Sequence, residues 1–501
     1  MDVLSKTLYF LLSAPFIFLL VRFRLLHSAS MRTAVLLLHA AVLTVLTVFL
    51  FNQPSWSWSN QTALIQDVAG RGGRPEAYKY IRDRFILVDN SRDKELVLNP
   101  EGDEDDSTTL PITGRRKLTA FLRLLESHKP LVDLVVADID FPKPTEATDS
   151  LLQGELLTLS AENKLLLSVV PKTQPKHDLS LQANVYGNVT EEGAGKLFVS
   201  HTIYQNGYFS LPYKLYAHLN GITTGEPYFY NSLLKETDAA DDGQHTVSNT
   251  FFPEFYITDE AVLKGQVQGP QHSVSLDIDS GYESADHGFY FLSEPLSPSG
   301  EKEFVANLQQ RKQRGQKNII FLGTFSSPTE DIHQTIYTDL HGPVILLNVL
   351  YALQLKRHYL SWSYLLILFI GYSIISWVLI HNLVRMHLLS AGQKAFLKKR
   401  IPFLARGYNA VKAGGKRIAE KAGKYKVLQL AANIVDFLVE FVLIEMLHLV
   451  LLLALIFIVK QTTGHLINGM SLLVYLTIVN ALLKFARRYL ASPQGAVHKP
   501  E

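Results

Sequence analysis

FILVDN (Phe85–Asn90), LVDLVVADID (Leu131–Asp140), KLLLSVV (Lys164–Val170) and NIIFLGTF (Asn318–Phe325) are four short, almost unbroken apolar runs. Runs of this length, rich in Leu, Val and Ile, read as strands buried on both faces. Between them, RRKLTAFLRLLESH (Arg115–His128), LLQGELLTLSAEN (Leu151–Asn163) and the stretch Glu301–Gln313 place apolar residues at helical spacing. Strands alternating with helices predict an α/β domain with a mostly parallel sheet covered by helices. Residues 180–295 break the alternation. They hold many Tyr and Phe residues and several Gly-containing turns, which predicts a β-rich antiparallel insertion.

Working outward, this domain (53–341) lies between strongly apolar segments. Candidate membrane spans are Thr7–Val21, interrupted by Pro15, then Ala34–Phe51, Ser361–Val384, Phe441–Val459 and Ile467–Leu483. A cleaved signal peptide is the rival reading of the first. The segment 385–427 carries twelve Lys and Arg residues against one acid, Glu420. Basic flanks favour the cytoplasmic side. The expectation is therefore an all-α transmembrane bundle, multi-pass in a bacterial inner membrane, with the large domain periplasmic. The divisions are 1–52, 53–341, 342–384 (an exit helix and the third span), 385–427 and 428–501.

The chain has 501 residues, 19% of them charged, a net charge of +2 and no cysteine. Mean hydropathy is +0.10. The length implies two or three folding units. Absence of cysteine excludes disulfides, thiol chemistry and cysteine-based zinc sites. There is no Walker-type phosphate loop, Rossmann glycine fingerprint, HExxH or GxSxG. No enzyme and no cofactor are expected. Asn60 and Asn188 each begin a glycosylation triplet, which means nothing in a bacterial host.

The order of FILVDN, an Arg-led helix, LVVADIDF, a further strand and finally NIIFLGTFSSPTEDIHQTIYTDLHGPVILLNVLYAL (Asn318–Leu353) resembles the type-two CHASE domain, an extracytoplasmic sensor family. The closing segment carries the resemblance furthest, with Gly323, then Asp331, His333 and Thr335, then Gly342, Pro343 and Asn348. The resemblance covers roughly residues 80–360 and implies a sensor or receptor function. That family places Asp followed by a second acid at the end of the first strand, where this chain has Asp89 and Asn90. Its members continue into a catalytic output domain, where this chain ends in a short tail from Lys484 to Glu501.

Three sets of residues are candidates for function. Asp89, Asp138 and Asp140 fall at the carboxyl ends of neighbouring strands, the edge where open α/β sheets bind ligands. Converging carboxylates there suit a divalent cation or an amine-bearing ligand; the competing reading is that they cap helices or satisfy loop amides. Asp331, His333 and Thr335 follow another strand end and could join that edge. Asp436, Glu440, Glu445 and His448 are ionisable groups on the fourth apolar segment, suited to pairing with a second copy or a partner protein. The basic segment, with Lys398, Lys399, Arg400, Lys416 and Arg417 among Phe and Leu residues, suits anionic lipid rather than nucleic acid. GDEDDS (Gly102–Ser107) lacks the alternation of an EF-hand loop and reads as a solvated turn. The expected function is a sensor or receptor subunit in a lipid bilayer, binding a small ligand or a protein and acting through a separate partner or a homo-oligomer. The alternative is a structural or assembly subunit.

Overall fold

The computed structural model describes residues 29–48, 74–98, 109–139, 149–169, 182–184, 188–192, most of 195–251, 255–258, 263, 288–326, 331–335, 339–385, 446–460 and short pieces up to 479. The chain divides into two compact units, one of residues 58–360 and one formed by 1–57 with 361–501.

The larger unit is built on a six-stranded sheet. Its strands are β1 (Phe85–Asp89), β4 (Leu134–Ala137), β5 (Leu165–Val169), β6 (Gln182–Asn184), β15 (Phe289–Phe291) and β16 (Ile319–Gly323), in the order β15-β1-β16-β4-β5-β6. Every pairing is parallel. The four apolar runs thus form the four central strands.

Strand alternation sorts their side chains to two faces. Ile86, Val88, Val135, Ala137, Ile320 and Leu322 pack with helices α3 (Arg115–Ser127), α4 (Asp149–Ala161) and α6 (Pro298–Gln313). Helix α3 does so through Leu118, Phe121, Leu122 and Leu125, the spacing of one helical face. Phe85, Leu87, Leu134, Val136, Ile319 and Phe321 pack on the other side with α2 (Pro75–Arg84), α5 (Leu211–Asn220) and α7 (Gly342–Gln354). The result is three layers, helices over both faces of a parallel sheet.

Helix α7 is apolar on every side, and all residues from Pro343 to Leu353 are buried. Its one strongly polar interior residue, Asn348, is consumed by structure. The side-chain oxygen accepts from the amides of Tyr256 and Ile257 at 2.7 and 2.8 Å, and the side-chain nitrogen donates to the carbonyls of Ile257 and Val344. A helix read as leading out of the domain is the centre of one of its cores.

The insertion is antiparallel, as its composition predicts, except at its ends. Strands β7 (Asn188–Glu192) and β8 (Gly195–Thr202) form a hairpin, β9 (Tyr204–Gln205) and β10 (Tyr208–Phe209) another, and β11 (Ile222–Thr224), β12 (Leu233–Asp238) and β13 (Gln244–Ser248) a meander. Strand β14 (Thr250–Phe251) returns beside β8. The flanking β6 and β15 instead become the two edges of the parallel sheet. Two further hairpins stand at the sheet's carboxyl end, β2 (Lys94–Leu98) with β3 (Thr109–Thr113), and β17 (Ile332–Gln334) with β18 (Asp339–His341).

In the smaller unit, α1 (Ala29–Leu46) lies along α8 (Trp362–Arg385). Two polar contacts join them inside an apolar seam, His39 to Ser376 at 2.8 Å and Thr47 to Tyr372 at 2.6 Å. Gly371 leaves room for Leu455 of the helix 446–460.

The structure corrects the expectation of a transmembrane bundle. Among the described residues, no helix is long and apolar enough to cross a membrane. The 18 residues of α1 rise about 27 Å, short of a hydrocarbon layer of roughly 30 Å. The multi-pass inner-membrane location rested on those spans and is overturned with them. The first apolar segment, Thr7–Val21, lies outside the described residues.

Candidate functional site

The carboxyl edge of the sheet is built by β1, β16 and β4, whose last pairs are Asp89 with Gly323 and Leu322 with Ala137. Asp89 is fully buried. Its carboxylate accepts the amides of Ser91 and Phe325 at 2.9 and 3.0 Å and the Ser91 hydroxyl at 2.9 Å. The neighbouring Asn90 bridges Thr113 and Thr324 at 2.7 and 2.8 Å. Asp93 holds the Lys117 ammonium at 2.6 Å and the Ser293 amide at 3.1 Å. These groups knit four loops together, so Asp89 is a fixed part of the edge rather than a carboxylate presented to a ligand. This is the amide-satisfying role weighed against ligand binding above.

Asp138 stands one strand over and is partly exposed, with its amide bonded to Leu322 O at 2.8 Å. A Cβ on Gly323 would lie 3.6 Å from the Asp138 Cβ and 2.7 Å from Pro343 Cγ. Gly323 therefore permits the first turn of α7 to sit directly on the strand end. Asp331 reaches the same turn from the other side. Its carbonyl accepts the Gly342 amide at 2.8 Å and its carboxylate lies against Gly342. A carboxylate at the amino end of a helix is favoured by the helix dipole. Asp331 has φ +55, and His333 Nε2 lies 3.0 Å from its Oδ1. Asp331 and His333 thus form a remote cap for α7, near Asp138. Thr335 is buried just beyond β17. Among the described residues no group of three or more His, Cys, Asp or Glu could hold a metal ion, so the edge is no cation site of that kind.

Asp140, Asp436, Glu440, Glu445 and the basic residues Lys398, Lys399, Arg400, Lys416 and Arg417 lie outside the described residues. His448 is buried in helix 446–460.

A second constellation carries more chemistry. Glu236 of β12 and His358 are both fully buried, with Nε2 and Oε1 3.0 Å apart. The Tyr213 hydroxyl donates to the same oxygen at 2.7 Å. Tyr216, Phe251 and Tyr359 pack their rings against the imidazole. Burial drives the His358 pKa below its ordinary value, with Glu236 opposing. Nδ1 of His358 has no hydrogen-bond partner among the described residues. A proton there would be a buried donor without an acceptor, so the imidazole is neutral with its proton on Nε2. Burial works to raise the Glu236 pKa, but the hydrogen bonds from His358 and Tyr213 hold it below the usual glutamate range. Burial and the Glu236 charge push the Tyr213 phenol far upward. The segment around His358 is also stitched by backbone. Ser248 donates to His358 O at 2.9 Å and Leu360 to Thr246 O at 3.2 Å, with Val247 and Tyr359 bridged antiparallel. Leu360 is the last residue of the larger unit.

Tyr213 also lines a cavity of about 350 Å³. Its floor is Leu134 and Leu166 of the sheet; Phe209 and Thr224 flank it. Lys214, Ala217 and His218 complete the wall from α5, with His218 exposed at the surface. The volume falls within the roughly 300–1,000 Å³ of small-molecule sites. Sequence reasoning missed this region. Its only signal was the aromatic density of 180–295, because Glu236 and His358 are 122 positions apart.

No family model matches this chain, and neither does any curated protein or solved structure.

Proposed function

We propose that the larger unit is a small-ligand sensor that acts through a separate partner. Its ligand occupies the cavity under α5, and occupancy is read at the end of the unit. The observation that carries this reading is the double role of Tyr213. It lines the cavity and donates to Glu236, which also accepts from His358, two residues before the unit ends. A ligand acts only through different affinity for two states. Here those states are Tyr213 bonded to Glu236 and Tyr213 displaced from it. The resemblance to the type-two CHASE domain supports the sensory reading, and the absence of the enzyme motifs sought above favours a separate output.

The test is hydrogen exchange on the full chain during a screen of small acids, alcohols and amines. A compound that protects α5 amides should also change exchange at residues 356–360, and that second effect should vanish in Tyr213→Phe. Protection of α5 that leaves 356–360 unchanged, or no protection by any compound, defeats the proposal.

A second reading, an assembly subunit docked permanently on a partner, draws on α8. Leu366, Ile370, Ile374 and Trp377 are all at least half exposed along one side of it, an apolar strip of the kind that partners cover. Sedimentation of the full chain tests it; a monodisperse monomer that binds no partner argues against it.

A further inference from the structure

Resting on the reading of the cavity under α5 as the ligand site, we infer that its ligand is an uncharged, largely apolar molecule of small size. The lining decides the class. Leu134 and Leu166 come from the sheet, Phe209 from β10, and Tyr213 and Ala217 from α5. Tyr213 and Ala217 are four apart, so they share one face of that helix. The rings of Phe209 and Tyr213 are stacked, with 5.6 Å between centroids and 24° between planes, and form one apolar wall. Ala217, the smallest side chain of the lining, leaves the room one turn further along α5.

The polar groups at the cavity are already committed. The Tyr213 hydroxyl donates to Glu236, and Lys214 has an interaction of its own. His218 is exposed, where water competes for it. Among the described residues, no buried side-chain nitrogen or oxygen lacking a hydrogen-bond partner belongs to the lining. No carboxylate lines the cavity to meet an ammonium, and an acid would have to displace the partner that Lys214 already has. A charged head group would therefore leave water for a site that offers it no free counter-charge. Burying an unpaired charge costs far more than burying a hydroxyl. The volume sets the size. A cavity of about 150 Å³ holds benzene, so one of about 350 Å³ suits on the order of ten heavy atoms. An aryl or alkyl alcohol such as 3-phenylpropan-1-ol meets both conditions.

Calorimetry on the full chain with 3-phenylpropan-1-ol, 3-phenylpropionate and 3-phenylpropylamine compares one tail under three head groups, the last two ionised at neutral pH. The alcohol should bind on the order of tenfold tighter than either ion, and it should slow hydrogen exchange at the α5 amides. Ala217→Leu, which fills the cavity from α5, should weaken the alcohol by on the order of tenfold. Acid or amine bound as tightly as the alcohol, with α5 protected, overturns the inference while leaving the cavity as a ligand site. Binding of none of the three overturns the inference, and the cavity reading with it if the wider screen also finds no protection of α5. Alcohol binding that leaves α5 exchange unchanged, or that a folded Ala217→Leu does not weaken, places the ligand elsewhere and overturns both. The wild-type measurements stand even if that variant fails to fold.

Discussion

Removing either member of the Glu236–His358 pair should cost more than removing both costs per residue. Both side chains are fully buried, 3.0 Å apart, with Tyr213 as the second donor to the carboxylate. In Glu236→Leu, the His358 N–H and the Tyr213 O–H lose their acceptor, and each orphaned donor costs about 1–3 kcal/mol. In His358→Leu, the carboxylate keeps the Tyr213 donor and remains in a dry site, a loss of about 3–5 kcal/mol for a broken buried pair. The double variant removes the charge and the imidazole together. Only the Tyr213 hydroxyl is left unsatisfied, and leucines occupy much of the vacated volume. It should therefore be less destabilised than the sum of the singles by about 1–3 kcal/mol. The assay is urea-dependent hydrogen exchange at β12 and β13 amides, which isolates the larger unit from the rest of the chain. Single variants that are additive within about 0.5 kcal/mol would refute the coupling, and with it the role of the pair at the end of the larger unit.

Acid should weaken the larger unit before its carboxylates titrate. Burial lowers His201 from 6.5 to about 3 and lowers His358 as well. The unfolded chain binds protons near pH 6.5 that the folded chain refuses, so stability falls as pH drops below that value. Each such histidine contributes about 1.4 kcal/mol per pH unit. His201→Gln should remove one histidine's share of the slope in pH-dependent urea midpoints, and an unchanged slope contradicts the assignment. Lys356 follows α7 with φ +56, and the Arg357 amide returns to Ala352 O at 3.1 Å, a helix end suited to glycine. Lys356→Gly should stabilise the larger unit by about 1 kcal/mol, read in urea unfolding; a loss would mean that the ammonium 5.2 Å over Tyr359 outweighs the backbone strain. Gly323→Ala should destabilise by about 1–3 kcal/mol, because its Cβ would stand 2.7 Å from Cγ of the rigid Pro343 ring. A neutral result in thermal unfolding would show that the start of α7 yields freely.

The central strands were legible because burial on both faces forces runs such as FILVD and IIFLG to be apolar throughout. The edge strands were not. Gln182–Asn184 is only three residues long and polar in sequence, and its place beside β5 follows from where the chain returns. The strand-end acids were legible as positions but not as roles. Nothing local to Asp89 reveals that the Phe325 amide, 236 residues away, folds back onto it. Asp331 caps a helix that begins eleven positions later, through a left-handed backbone conformation that sequence pattern does not report. Helix α7 did carry a usable signal. Apolar residues all round a helix mean burial on all sides, and GPVILLNVLYAL fits that better than it fits a lever running through solvent.

The arrangement also says where a signal can pass within the larger unit. Helix α5 packs directly on α7. But α7 is fixed at its start by Asp331 and Pro343, and at its middle by four hydrogen bonds of Asn348. A close-packed core does not deform continuously, so sliding α7 would break all of these contacts at once. The route through Tyr213 asks for much less. One phenol–carboxylate hydrogen bond is exchanged, and Glu236 keeps His358 as a donor. Losing that second donor strengthens the demand of the carboxylate on the imidazole, so ligand entry should tighten the His358 contact as it loosens Tyr213. The end of the larger unit would then be held more firmly in the occupied state than in the empty one. Slower exchange at residues 356–360 on ligand binding is the sign this argument requires, and faster exchange would mean that the pair opens with Tyr213 instead.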